Sequence, residues 1–120
     1  MRTLILAGCV FLLLYITYRT YRSVKLGKGL DRLLADGAVL LDVRTEGEYA
    51  AGHLPGSLNI SLGTIRERYT ELDPGKTYIT YCSHGLRSVK AQSLLQERGF
   101  KNVYNGGALP DLEKIIKALS

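Results

Sequence analysis

Lys76-Thr77-Tyr78-Ile79-Thr80-Tyr81-Cys82-Ser83-His84-Gly85-Leu86-Arg87-Ser88 is the stretch on which the reading of this chain turns. Its first half, rich in β-branched and aromatic residues, reads as a strand. A cysteine stands at the strand's end, followed by a short loop that contains a glycine and closes on an arginine. From about Ser88 to Arg98 the chain reads as a helix, which Gly99 stops. A thiol so placed faces backbone N–H groups at a helix N-terminus. Their partial positive charge favours a thiolate and an anionic substrate alike.

The flanking segments alternate in the same way. Leu30 to Ala35 fits one or two helical turns ended by Asp36-Gly37. Ala38-Val39-Leu40-Leu41-Asp42-Val43 is an apolar run ending near an acid, the pattern of a strand buried on both faces. Thr45 can cap a helix over 46–51, with Gly52 at its end. His53-Leu54-Pro55-Gly56 and Asp73-Pro74-Gly75 read as turns, 58–61 as a short strand and 62–69 as an amphipathic helix. A last strand at 101–104 and a last helix at 109–119 follow. Strands alternating with helices imply a parallel sheet with helices on both faces. Ligands of such sheets bind beyond the strands' carboxyl ends, where Asp42-Val43-Arg44 and Cys82 both fall.

The charges are unevenly placed. The chain of 120 residues has a formal net charge of +5. Residues 1–28 hold Arg2, Arg19, Arg22, Lys25 and Lys28 and no acid, so the excess sits wholly there. Residues 29–120 are balanced, which argues against a nucleic-acid surface. Thr3 to Tyr18 is uncharged and dominated by large apolar residues. As a helix it spans about 24 Å, short of the roughly 30 Å hydrocarbon core. Arg19 and Arg22 can extend their reach by snorkelling, and Tyr15, Tyr18 and Tyr21 suit an aromatic belt. The segment therefore reads as a single-pass transmembrane helix, with 1–28 as anchor and basic juxtamembrane linker and 29–120 as the folded domain.

Export signals fit less well. Basic residues follow the apolar run and no Ala-x-Ala site is nearby. Leu6-Ala7-Gly8-Cys9 resembles a lipoprotein box, but nine apolar or uncharged residues continue beyond it, and Cys9 reads as a small lipid-facing residue. The basic residues after the run place the C-terminal domain in the cytoplasm. Cys82 is the sole cysteine of that domain, which is compatible with a reducing compartment.

Several motifs occur in one order: Leu41-Asp42-Val43-Arg44, Glu48-Tyr49, Gly52-His53-Leu54-Pro55-Gly56-Ser57-Leu58-Asn59-Ile60, the Cys82 loop, Gly99-Phe100 and Gly106-Gly107. In this the chain resembles a single-domain rhodanese, a sulfurtransferase module, over roughly residues 30–119. The resemblance implies a doubly wound α/β fold and a persulfide carried on Cys82. One departure is the absence of tryptophan after the double glycine, where Ala108-Leu109-Pro110-Asp111 stands instead.

The loop supports that chemistry in its own right. A thiolate at Cys82 attacks the outer sulfur of a donor such as thiosulfate, sulfite leaves, and cyanide or a thiol acceptor later takes the sulfur. The expected substrate-binding groups are Ser83, His84, Gly85, Leu86, Arg87 and Ser88, with Arg87 and the amides holding sulfonate oxygens. His84 either contacts substrate or is an exposed bystander. Asp42 and Arg44 are expected to be a framework pair, and His53 to hydrogen-bond backbone in its turn. No metal-ligand spacing is present and no cofactor is implied. Glu46 and Glu48 read as N-terminal helix acids, and Tyr78 and Tyr81 as strand packing.

Two other readings compete. A cysteine phosphatase usually places five residues between Cys and Arg, whereas four stand here, Ser83 to Leu86. A membrane-tethered sulfur-relay or binding module, served by a membrane or sulfur-carrier protein, would use the same cysteine without turnover of small donors.

Overall fold

The computed structural model describes residues 2–119, with the side chains of 20–28 excepted. Four parallel strands form one sheet: β1 (Val39–Asp42), β2 (Leu58–Asn59), β3 (Tyr78–Cys82) and β4 (Val103–Ala108), in the order β2-β1-β3-β4. The helices are α1 (Arg2–Ala35), α2 (Glu46–Ala51), α3 (Ile65–Arg68), α4 (Leu86–Glu97) and α5 (Leu109–Leu119), with a 3₁₀ turn at Tyr69–Glu71.

Side chains alternate across the sheet, and both faces are covered. Leu41, Val43, Tyr78 and Cys82 pack with Ile65 of α3 and Ala91 and Leu95 of α4. Leu40, Ile79 and Tyr81 face the other way, onto Leu30 of α1 and Leu112 of α5. Each strand therefore needs apolar residues at successive positions, which is why β1 and β3 read as continuous apolar or aromatic runs. The expected doubly wound sheet with helices on both faces is present. The order of strands reverses between β1 and β3, which puts the topological switch point, where ligands of such sheets bind, at the carboxyl ends of those two strands.

On this side α5 packs on the sheet through aliphatic side chains where the expected tryptophan is absent. Leu112 of α5 is fully buried, and Leu109, Ile115 and Ile116 pack around the same cluster.

The N-terminal region differs from expectation. The segment 25–29 reads as a glycine-containing linker, but the backbone continues as one helix from Arg2 to Ala35. Gly27 and Gly29 each weaken a helix by about 1 kcal/mol relative to alanine, and the helix extends through both. Beyond them its last turns insert Leu30 into the core, with Leu33 and Leu34 alongside. Gly37, at φ +89°, then turns the chain into β1. The segment Arg2–Arg19 is long and apolar enough to cross a membrane, a test of length and composition that a signal sequence also passes. It is not a core helix, because its large apolar side chains from Leu4 to Tyr18 are 50–79% exposed. The Thr17 hydroxyl donates to the Leu13 carbonyl at 2.8 Å, which satisfies that donor within the helix. Tyr21, Arg22, Lys25 and Lys28 fall among the side chains outside the described residues.

Other boundaries shift by a few residues. The helix expected over 62–69 is a short α3 followed by the 3₁₀ turn, and β4 runs on through the double glycine to Ala108.

Candidate active site

Cys82 is the last residue of β3, and α4 begins at Leu86, so only Ser83, His84 and Gly85 separate strand from helix. That turn closes because Gly85 adopts φ +97°, a left-handed conformation costly for residues with a Cβ. The loop rests on the end of β4. A Cβ on Gly85 would lie 3.8 Å from the Gly107 Cα. Gly106 is tighter still, since a Cβ there would meet Ile79 Cγ2 at 2.7 Å and the Thr80 carbonyl at 2.8 Å. The pairing of β3 with β4 shifts register between Thr80 and Cys82 at this point, and Gly107 takes φ +76°. The double glycine thus lets β4 approach β3 closely and form a floor beneath the loop.

The Cys82 sulfur is the focus of the loop's donors. The Gly85 N–H donates to Sγ at 2.9 Å. Burial pushes the thiol up, but the Ser88 N–H, the Ser88 hydroxyl and the N–H groups of Gly85 and His84 outweigh it and hold the thiol below its ordinary value. The Ser88 hydroxyl has one proton and two acceptors in reach, since it also donates to the Gly85 carbonyl at 2.9 Å. Turned to sulfur, that proton stabilises the thiolate. Cys82 is only 1% exposed, so a slim terminal atom has the best access to it. Thr80 anchors the start of α4 by donating to the Ser88 carbonyl at 2.9 Å.

The other expected residues are partly on this loop and partly beneath it. Arg87 does not stand free to hold an anion. Its guanidinium forks onto Glu48, with Nη1 to Oε1 at 2.7 Å and Nη2 to Oε2 at 3.1 Å. The Ser83 hydroxyl donates to Glu48 Oε2 at 3.1 Å. Glu48 simultaneously caps α2, accepting from Thr45 N–H and Thr45 Oγ1 at 3.1 Å each. The Glu48 N–H returns a bond to Thr45 Oγ1, which completes a capping box. One carboxylate therefore joins the N-terminus of α2 to the Cys82 loop. Arg87 and the Thr45 donors hold that carboxylate well below the usual range. His84 and Leu86 are exposed on the loop.

Asp42 and Arg44 are paired with each other at the end of β1. Arg44 Nε lies 3.0 Å and 3.1 Å from the two Asp42 oxygens, and Nη2 lies 2.7 Å from Oδ2. The Arg44 N–H also donates to Asp42 Oδ1 at 2.9 Å. Arg44 Nη2 reaches on to the Gly52 carbonyl at 2.7 Å, and the Asp42 carboxylate raises the guanidinium's affinity for its proton further. Asn59 locks the same corner by donating to the carbonyls of Asp42 and Arg44 at 3.0 Å. His53 sits outside the loop, with Nδ1 2.8 Å from the Tyr49 carbonyl and its ring stacked on Tyr49 at 3.7 Å. Tyr81 does more than fill the core: its hydroxyl accepts from Leu54 N–H at 3.2 Å and donates to Ser57 Oγ at 2.9 Å. That holds the Leu54-Pro55-Gly56-Ser57 turn, which has Gly56 at φ +78°.

Glu48 is the residue whose role sequence reasoning missed. Thr45-x-x-Glu48 is visible as a capping box, but the bridge to Arg87 crosses 39 positions and has no local signal. Among the described residues there is no group of three or more His, Cys, Asp or Glu able to hold a metal ion.

A family model described as the Rhodanese-like domain matches residues 27–107. The chain belongs to the rhodanese-like family. A thiosulfate sulfurtransferase, GlpE, of Pseudoalteromonas translucida (strain TAC 125) is 33% identical over 85 residues, covering 71% of this chain and 81% of that protein. The thiosulfate sulfurtransferase PspE of Escherichia coli (strain K12) is 36% identical over 74 residues, covering 60% and 71%. A tRNA sulfurtransferase of Thermoplasma acidophilum is 36% identical over 77 residues, but the match spans only 15% of that protein. Among solved structures, the human single-domain sulfurtransferase TSTD1 superposes with a TM-score of 0.61 at 28% identity, covering 72% of this chain and 91% of that one. These relationships support sulfurtransferase activity in general for this rhodanese-like domain.

Proposed function

We propose that this rhodanese-like domain moves a sulfane sulfur from thiosulfate or a similar donor to cyanide or a thiol acceptor, through a persulfide on Cys82. The observation that carries this reading is the convergence of N–H groups on the Cys82 sulfur, which lowers the thiol's pKa inside a loop of three residues. In the first half-reaction the Cys82 thiolate attacks the outer sulfur of thiosulfate. The donor's S–S bond breaks, sulfite leaves with the electron pair, and Cys82 carries a terminal sulfur anion. The donors that stabilise the thiolate keep the reactive form of Cys82 populated and favour its return when the sulfur leaves. In the second half-reaction cyanide takes the terminal sulfur as thiocyanate, or a thiolate takes it as a new persulfide, and the Cys82 thiolate returns. Cys82 is the sole cysteine of the domain, so the acceptor comes from outside it.

Ser83, His84, Gly85, Leu86, Arg87 and Ser88 form the donor-binding loop in this scheme, with Asp42, Arg44 and His53 as its framework. Residues 3–18 anchor the domain in a membrane as a single-pass helix, with the domain on the cytoplasmic side where the positive-inside rule puts it. The anchor keeps the domain beside a membrane protein or sulfur carrier that supplies or consumes sulfur. The four residues between Cys82 and Arg87, and the commitment of Arg87 to Glu48, argue against a phosphatase. Production of thiocyanate from thiosulfate and cyanide by the full chain, beside Cys82→Ser, tests the reading. Turnover by the native chain with none by the variant is expected. Equal activity in both would overturn it.

A further inference from the structure

Arg44 and Arg87, the two arginines of the site, are each matched by a carboxylate. Arg44 is buried on Asp42, with 2.7 Å between Nη2 and Oδ2. Arg87 is the loop's own arginine, and it is forked onto Glu48 at 2.7 Å and 3.1 Å. Glu48 cannot readily let go, because Thr45 N–H, Thr45 Oγ1 and the Ser83 hydroxyl hold the same two oxygens. Between Cys82 and Ser88 the loop then offers an incoming donor backbone dipoles and an arginine whose charge is already paired. Dipoles stabilise one developing anion at short range, but a second full charge on the donor meets the Cys82 thiolate with the loop's own cation already taken.

We propose that Glu48 sets the charge of the sulfur donor: by neutralising Arg87 it adapts the loop to sulfane donors of a single negative charge, such as hydropersulfide or thiosulfonate anions, over the dianion thiosulfate. The proposal rests on the sulfurtransferase reading and ranks the donors of that same site. The step is the same in each case. The Cys82 thiolate bonds to the donor's outer sulfur, the donor's S–S bond breaks, and the leaving group takes the electron pair. Sulfite departs from thiosulfate and a sulfinate from a thiosulfonate, so no external oxidant or reductant takes part.

Methanethiosulfonate anion and thiosulfate differ in charge while presenting the same terminal sulfur, and they make the test. The ratio of kcat/KM for thiosulfate to that for methanethiosulfonate is measured on the full chain, Glu48→Gln, Arg87→Gln and the double variant. All four proteins are compared at one pH. The charge of the pair is zero in the native chain, positive in Glu48→Gln, negative in Arg87→Gln and zero again in the double variant. The ratio is expected to rise about fivefold in Glu48→Gln, to fall by a similar factor in Arg87→Gln, and to return near the native value in the double variant. Because a ratio is independent of the fraction of active protein, a variant that folds poorly still reports. A ratio unchanged across the variants, with both rates lowered alike, would reduce Glu48 to a residue that only holds the loop in place and would overturn the proposal. If neither donor transfers sulfur to Cys82 in the native chain, the sulfurtransferase reading itself fails.

Discussion

At the scale of single residues the account rests on which groups point at Cys82. The thiol's pKa is lowered in the folded chain, so the thiolate's contribution to stability is present above the unfolded pKa and is lost as pH falls through the folded one. Alkylation of Cys82 should accordingly show an inflection below the ordinary thiol range of about 8.5. In Ser88→Ala one lowering group is lost while the amides remain, so the inflection should move up without reaching that range. A pH profile of iodoacetamide reaction followed by mass spectrometry checks both; an inflection unchanged in Ser88→Ala would contradict the role given to its hydroxyl. Asp42 is fully buried and Arg44 nearly so. Arg44→Met leaves a buried carboxylate without its partner and should cost about 3 kcal/mol, visible as a lower denaturation midpoint. Cys82 and its loop were legible in the sequence because the pattern is local. Glu48 was not, because what matters is a contact between α2 and α4 that no periodicity encodes.

At the scale of elements, the close approach of β3 and β4 is the feature that shapes the site's floor. Gly106→Ala would place a methyl within 2.8 Å of the Thr80 carbonyl, backbone that cannot easily move. It should destabilise the domain by about 2 kcal/mol, and a thermal melt should show a fall of several degrees. An unchanged melt would mean that the strands separate without penalty. Thr45→Ala removes the α2 cap for about 1 kcal/mol and, by freeing Glu48, should also disturb the loop. The elements themselves followed from burial on both faces of β1 and β3 and from the turn chemistry of Gly37, Gly52 and Gly56. The misjudged element was the segment 25–29, where two glycines suggested a break. Helix propensity is a weak preference of about 1 kcal/mol per glycine, and packing of Leu30, Leu33 and Leu34 on the sheet outweighs it.

For the whole molecule, the question is why a neutral domain carries a long apolar helix. The large apolar side chains between Leu4 and Tyr18 are at least half exposed, which fits the proposed membrane anchor. The full chain should stay with the membrane fraction through alkaline carbonate and leave it only with detergent. Release by carbonate alone would remove the anchor from the account. Doubly wound topology was legible from the alternation of strands and helices. The strand order, and with it the switch point beside Cys82, came only from the pairing of β1 with β3.

The central claim is that sulfur rides on Cys82, and intact mass tests it most directly. The full chain in a Cys9→Ser background is incubated with thiosulfate or methanethiosulfonate and weighed, beside the same chain carrying Cys82→Ser. The account predicts a gain of one sulfur atom that cyanide removes and that the Cys82→Ser chain never shows. No gain with either donor, or an equal gain without Cys82, would contradict it.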